Sequence, residues 1–278
     1  MKLYGILALL LACPAVYCQS VPQPLTQVEA CRKFTASIVQ VDSDTMRGTG
    51  FVADQDGWIV TALHVVANPK TLTKYGKISV TVLGYARPFP AEIMSPIDDL
   101  ARSRDFVVLK IDKTKLSHLD MGTEIDVENG SPIAIIGLPF SAPISGITPR
   151  FCLAGTVAAQ TSFGLGNLRY LHTIYFQGVS IKGISGAPII SLVTGKVIGI
   201  VSTKLTGIGQ ALDLTRQRLS SENGSLQIGG FSTVSTTQAI IDVLDTQLAN
   251  GLGSGTGASD AVYALEKAKS DYQPHLQK

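Results

Sequence analysis

The sequence predicts an all-β protein built as two barrels, on two observations. Short segments rich in β-branched residues recur along the chain, each bounded by Gly, Pro, Asn or Asp, the pattern of strands and their turns. A breaker cluster, Asn129-Gly130-Ser131-Pro132, divides these segments into two sets and puts a domain boundary near residue 130.

In the first set, strands are expected at 37–41, 50–53, 58–61, 78–83 and 106–111. Asp56-Gly57, between Val52 and Trp58, marks a hairpin, because glycine accepts the positive φ of a tight turn. The second set covers 133–136, 153–158, 170–176, 187–191 and 197–201. Residues 204–230 are polar and Gly-containing and read as a long surface loop with room for a short strand. From Thr236 the period turns helical, with Ile240, Leu244 and Leu248 on one face and Ile241 beside them. Ser235 or Thr236 caps that helix and Asn250-Gly251 ends it. Residues 251–259 read as a flexible Gly/Ser linker, and 260–270 as one short terminal helix. The expected organisation is a signal peptide at 1–18, an N-terminal segment at 19–34, barrels at 35–130 and 131–235, a helix at 236–250 and a flexible tail at 251–278.

Composition narrows the function. The chain has 278 residues, 45% hydrophobic and 16% charged, enough to bury a sizeable core. A net charge of +2 with no long Lys/Arg run offers no phosphate-binding face, so no nucleic-acid partner is expected. No apolar run after residue 20 is long enough to span a membrane.

The first eighteen residues have the layout of a secretory signal: Met-Lys, an apolar stretch from Leu3 to Ala12, then small and polar residues. Cleavage after Cys18 would start the mature chain at Gln19. Leu10-Leu11-Ala12-Cys13 also resembles a bacterial lipobox, which would put a lipid anchor on Cys13, although Pro14 follows it directly. On either reading the protein is exported, to the periplasm or the outside if bacterial. Cys31 and Cys152 then remain as a disulfide pair or as two buried free thiols, since sequence fixes neither their distance nor their orientation.

Nucleophilic attack by a hydroxyl needs a serine beside a histidine base and a third group that orients the imidazole. Thr61-Ala62-Leu63-His64 ends one strand, Arg104-Asp105-Phe106 opens another, and Gly183-Ile184-Ser185-Gly186-Ala187-Pro188 forms a glycine-flanked turn. Each alone has an ordinary structural reading: a strand-end histidine, a turn aspartate, a serine in a glycine turn. Asp98, Asp99 and Asp112 compete for the orienting role, but Asp105 directly precedes the apolar strand. His118, His172 and His275 lack comparable surroundings.

Taken together these three motifs resemble those of chymotrypsin-like serine proteases, particularly the bacterial high-temperature-requirement (Deg) branch, over roughly residues 35–250. Gly48-Thr49-Gly50-Phe51-Val52 and Ile133-Ala134-Ile135-Ile136-Gly137-Leu138-Pro139-Phe140 also fall where that family has similar segments. The resemblance implies two six-stranded antiparallel β-barrels meeting at a cleft, with a C-terminal helix. It makes His64 the general base, Asp105 its partner and Ser185 the nucleophile, with the amides of Gly183 and Ser185 as the oxyanion hole. Ile184 replaces the polar residue common before the nucleophile, and Ala187 the frequent second glycine. The residues that would wall the primary specificity pocket are Val179, Ser180, Ser202 and Thr203, with Ser202 beside Asp105. None carries a charge to pair with a substrate Lys or Arg, so aliphatic residues are expected before the scissile bond. The resemblance further implies a polypeptide substrate and a reaction that requires no cofactor or metal. A peptide-binding PDZ domain is not expected, because only 29 residues, 250–278, follow the helix.

Other classes fit less well. The Gly-x-Ser-x-Gly pattern of α/β-hydrolases is broken by Ala187, and there is no His-Glu-x-x-His zinc motif. The alternative that stays open is a noncatalytic binding protein on the protease scaffold.

Overall fold

The computed structural model describes residues 23–139, 149–164, 170–178, 181, 183–202, 227–228, 231–232 and 252–272. Helix α1 (Gln27–Phe34) leads into strands β1 (Ile38–Ser43), β2 (Arg47–Asp54) and β3 (Trp58–Thr61). A single helical turn, α2 (Leu63–Val66), and a small hairpin of β4 (Ala67–Asn68) and β5 (Thr73–Lys74) follow. Then come β6 (Ile78–Thr81), β7 (Phe89–Ile93), helix α3 (Asp99–Arg104) and β8 (Val107–Ile111). The second half holds β9 (Pro132–Gly137), β10 (Phe151–Gly164), β11 (Tyr170–Gly178), β12 (Pro188–Ser191) and β13 (Val197–Ser202). A short hairpin of β14 (Gln227–Ile228) and β15 (Phe231–Ser232), strand β16 (Leu252–Gly257) and helix α4 (Ala258–Tyr272) complete it.

These strands close two six-stranded antiparallel barrels, ordered β1-β2-β3-β8-β7-β6 and β10-β11-β16-β13-β12-β9. The hairpin expected at Asp56-Gly57 joins β2 to β3, with Gly57 at φ +84°. A Cβ there would sit 2.5 Å from the carbonyl of Lys113, so the turn requires glycine both for conformation and for space.

Alternation along the strands sorts the core into three. Val39, Val41, Val52, Ile59, Val107 and Leu109 fill the first barrel. Ile133, Ile135, Val157, Ile174, Phe176 and Ile189 fill the second. Residues on the other faces, among them Phe51, Val60, Val108, Ile136 and Ile200, join Phe34 of α1 and Ala261, Leu265 and Ala268 of α4 in a cluster between the barrels. Strands such as β3, buried on both faces, therefore read as continuous apolar runs. Each fully buried aliphatic side chain contributes about 1.5–3 kcal/mol, and the shared cluster fixes how the barrels meet.

Two readings from sequence are corrected. Residues 252–257, expected within a flexible linker, are a full barrel strand pairing with β11 and β13, so the second barrel extends beyond 235 to residue 257. Its glycines serve close packing: a Cβ on Gly253 would lie 2.1 Å from the Phe176 ring, on Gly255 2.3 Å from the Ile200 carbonyl, and on Gly257 2.6 Å from the Glu124 carboxyl. The terminal helix is no loose tail either, because α4 buries Ala258, Ala261, Leu265 and Ala268. The helix expected over 236–250, the bulk of the 204–230 loop and the signal segment lie outside the described residues. Among the described residues no helix is long and apolar enough to cross a membrane.

At the N-terminal end, Thr26 caps α1 in a reciprocal box with Glu29. Cys31 of α1 forms a disulfide with Cys152 of β10, their Cα atoms 5.8 Å apart.

Candidate active site

His64 stands on α2, the single turn that follows β3. Leu63, Val65 and Val66 of that turn are buried in the first-barrel core, which leaves the His64 side chain at the surface of the packing, 18% exposed. Asp105 closes α3, whose start is capped by Asp98 accepting from the Ala101 amide at 2.8 Å. Its backbone is left-handed, φ 53° and ψ 40°, a conformation aspartate tolerates better than most residues. This reversal swings its side chain, only 1% exposed, beneath the imidazole.

Among the described residues, three donors face the Asp105 carboxylate. His64 Nδ1 lies 2.8 Å from Oδ2, the His64 backbone amide 3.2 Å from Oδ1, and Ser202 Oγ donates to Oδ2 at 2.5 Å. A carboxylate so deeply buried would be costly without such partners. With Nδ1–H directed at Asp105, Nε2 is left as the ring's acceptor nitrogen. The Leu63 amide also donates to the Asp105 carbonyl at 3.2 Å, tying α2 to the end of α3.

Ser185 lies in the turn between Gly183 and Gly186, where both glycines have positive φ, 101° and 85°. The turn is pressed against the first barrel. A Cβ on Gly186 would stand 2.2 Å from the Thr49 carbonyl and 2.7 Å from the Ala62 amide nitrogen, and one on Gly48 3.1 Å from the Ser185 carbonyl. Thus the serine turn abuts the strand ends that lead into His64. Ser185 is 6% exposed. The two departures from the family pattern are packing positions: Ile184 and Ala187 are fully buried in the second-barrel core, and Ile184 fills the space left by Gly137.

Of the other sequence candidates, Ser202 is on the Asp105 carboxylate, whereas Val179, Ser180 and Thr203 lie outside the described residues. Asp99 is an exposed partner of Arg102, and Asp112 is exposed. His118 stands 4.0 Å from Asp120 on the surface. Among the described residues no group of three or more His, Cys, Asp or Glu is arranged to hold a metal ion.

Behind Asp105 is a polar cluster that sequence reading did not find. The Arg104 guanidinium pairs with Asp260 of α4 at 2.8 Å, and the Arg104 carbonyl accepts from Thr256 Oγ1. Burial pushes the Asp260 carboxyl up, against the downward pull of Arg104 and of the His172 amide. Glu124 accepts from Ser259 Oγ at 2.6 Å, and Ser259 Oγ is 3.1 Å from His172 Nδ1. A cavity of about 430 Å³ beside this cluster is walled by Met94, Arg104, Phe106, Asp260 and Ala264, and does not include His64, Asp105 or Ser185. Thr49, buried at the junction of the barrels, was also missed as a site residue, although it lies in the Gly48-Thr49-Gly50 segment.

Residues 48–200, more than half of the 278, match the family profile described as Trypsin-like peptidase domain. The chain is 31% identical over 176 residues to Serine protease HTRA2, mitochondrial, of Drosophila grimshawi, a match covering 62% of this chain and 38% of that protein. The protein of the same description from Drosophila virilis is 31% identical over 171 residues, covering 60% and 37%. The chain thus matches well under half the length of these relatives. Among solved structures, Rv3671c of M. tuberculosis H37Rv, an inactive form, superposes with a TM-score of 0.55 at 18% identity, covering 90% of this chain and 96% of that one. The serine endoprotease from Yersinia pestis gives 0.58 at 18% identity, covering 90% and 68%. At such identity these two likenesses speak for the fold.

Proposed function

Because the chain belongs to the trypsin-like peptidase family, we propose that it is an exported serine endopeptidase working through His64, Asp105 and Ser185. The observation that carries this reading is the His64 Nδ1–Asp105 Oδ2 contact of 2.8 Å, on a carboxylate also held by Ser202, with the glycine-flanked Ser185 turn seated against the strand ends before His64.

In this reading Ser185 Oγ attacks the scissile carbonyl while His64 Nε2 takes its proton. The Gly183 and Ser185 amides receive the oxyanion of the tetrahedral intermediate. The His64 imidazolium, stabilised by Asp105, then protonates the leaving amine, and the C–N bond breaks to leave an acyl-enzyme. Water activated by His64 hydrolyses the ester and restores Ser185. Export accords with the signal-like first eighteen residues and with the Cys31–Cys152 disulfide, which persists in oxidising compartments. Aliphatic residues before the scissile bond remain the expected substrates, since Val179 at the counted pocket base carries no charge.

Labelling with a fluorophosphonate, together with cleavage of a diverse peptide library, tests this. Labelling on Ser185 and cleavage after Val, Ala, Ile or Leu, both abolished by Ser185→Ala, is the expected result. A folded protein that neither labels nor cleaves is the noncatalytic scaffold, and dominant cleavage after Lys or Arg overturns the specificity.

A further inference from the structure

Thr49 is completely buried on β2 of the first barrel, yet its polar atoms meet the serine turn of the second. Its amide donates to the Ser185 carbonyl at 2.9 Å, and its hydroxyl donates to the Gly183 carbonyl at 2.7 Å. The same hydroxyl accepts from the Leu138 amide at 2.9 Å, just past the end of β9. On the other side, the Thr49 carbonyl accepts from Thr61 Oγ1 at 2.7 Å, at the end of the strand that delivers His64. One residue therefore holds the carbonyls of both residues whose amides would face the oxyanion, and links them to the histidine side.

We infer that Thr49 is a positioning residue of the oxyanion hole, its hydroxyl setting the orientation of the Gly183–Ser185 backbone from across the barrel interface. The inference rests on the protease reading of this site. The physical reason lies in the turn itself: Gly183, at φ 101°, has no side chain to restrict its rotation. An external hydrogen bond must fix what the glycine leaves free. A threonine hydroxyl, buried where it can donate once and accept once, satisfies Gly183 and Leu138 together. An apolar isostere would leave both a carbonyl and an amide unpaired in the interior, and the turn would relax to recover partners. The loss should fall on the step in which charge appears on the carbonyl oxygen, because substrate contacts made before that step do not need aligned amides.

The test compares Thr49→Val, which keeps the shape and removes the hydroxyl, with Thr49→Ser, which keeps the hydroxyl. Kinetics on a peptide cleaved by the wild type are read together with inhibition by a peptide aldehyde of the same sequence. The aldehyde forms a tetrahedral adduct as Ser185 Oγ adds to its carbonyl and the hydroxyl proton passes to His64. Thr49→Val is expected to lower kcat at least tenfold with KM within about twofold, and to weaken the aldehyde by a matching factor. Thr49→Ser is expected to stay within about threefold of wild type in both. Unchanged kcat in Thr49→Val overturns the inference, as does an equal loss in the two variants, which would assign the effect to volume. Should Thr49→Val fail to fold, Thr49→Cys offers a near-isosteric weak donor: an intermediate loss in kcat at constant KM supports the inference, and wild-type kinetics overturn it. A wild type without hydrolytic activity refutes the protease reading itself, whereas an active wild type with an equally active Thr49→Val refutes only the role of Thr49.

Discussion

Asp105 combines two demands that substitutions can separate. Its carboxylate orients His64, and its backbone sits in the left-handed region. Asn tolerates that backbone but presents an amide, and can stabilise neither the imidazolium nor the required tautomer. On the proposed mechanism, Asp105→Asn lowers kcat by roughly 10⁴-fold with little change in melting temperature. Asp105→Ala loses the same activity and in addition about 1–2 kcal/mol of stability, because its Cβ has no compensating polar group in the left-handed conformation. Paired kinetics and thermal melts check this. Equal melting temperatures for the two variants would remove the backbone argument. At this scale the sequence was informative where chemistry is local: His64, Asp105 and Ser185 each lie in a contiguous pattern of strand end, cap and glycine turn. It was silent on the contacts of Thr49 with Leu138 and Gly183 and on the Arg104–Asp260 pair, which join residues 89 to 156 positions apart in sequence and are known only once the barrels are docked.

Helix α4 is held to the first barrel by an ion pair as well as by its apolar face, Lys269 Nζ lying 2.8 Å from Asp54 Oδ2. Burial alone would raise the Asp54 carboxyl, but bonds from Lys269 and the Asp56 amide outweigh it and hold it below its ordinary value. Lys269 is displaced upward, its partial burial being outweighed by Asp54. Asp54 therefore adds stability at pH above its unfolded value, lost as pH falls through the lowered folded value. Lys269 adds stability below its unfolded value, lost as pH rises through the raised one. Both side chains are about a quarter exposed, so the pair is worth only about 0–1 kcal/mol at neutral pH. Lys269→Met should lower the urea midpoint slightly near pH 7 and flatten its fall at the acid and alkaline edges. An unchanged pH profile would show the pair to be inconsequential. The neighbouring strand shows where element-level reading failed. Gly253, Gly255 and Gly257 have the composition of a linker, and only contact with Phe176, Ile200 and Glu124 reveals them as the places where a crowded barrel wall admits no side chain.

Across the whole molecule, the two-barrel division was legible because turn chemistry and apolar runs repeat on both sides of residue 130; Cys31 and Cys152 could be named as a disulfide pair, but not told from two free thiols, since that depends on where α1 lies against β10. That disulfide spans 121 positions, and in the chain-entropy account its loss costs about 2–5 kcal/mol. Replacing both cysteines with serine should lower the melting temperature by roughly 4–20 °C, at about 2–4 °C per kcal/mol for a large chain. Calorimetry would check it, and an unchanged melting temperature would refute it. Strand β16 carries a consequence for the nascent chain. It lies between β11 and β13 in the barrel wall but is translated after every other barrel strand. Until the ribosome has passed residue 257, the barrel bearing Ser185 has a missing stave, and fragments interrupted before that point cannot close it. On the proposed function, proteolytic competence then arrives only once residue 257 has been made, and the host making this chain is shielded from copies terminated before that point by the order in which the staves are made.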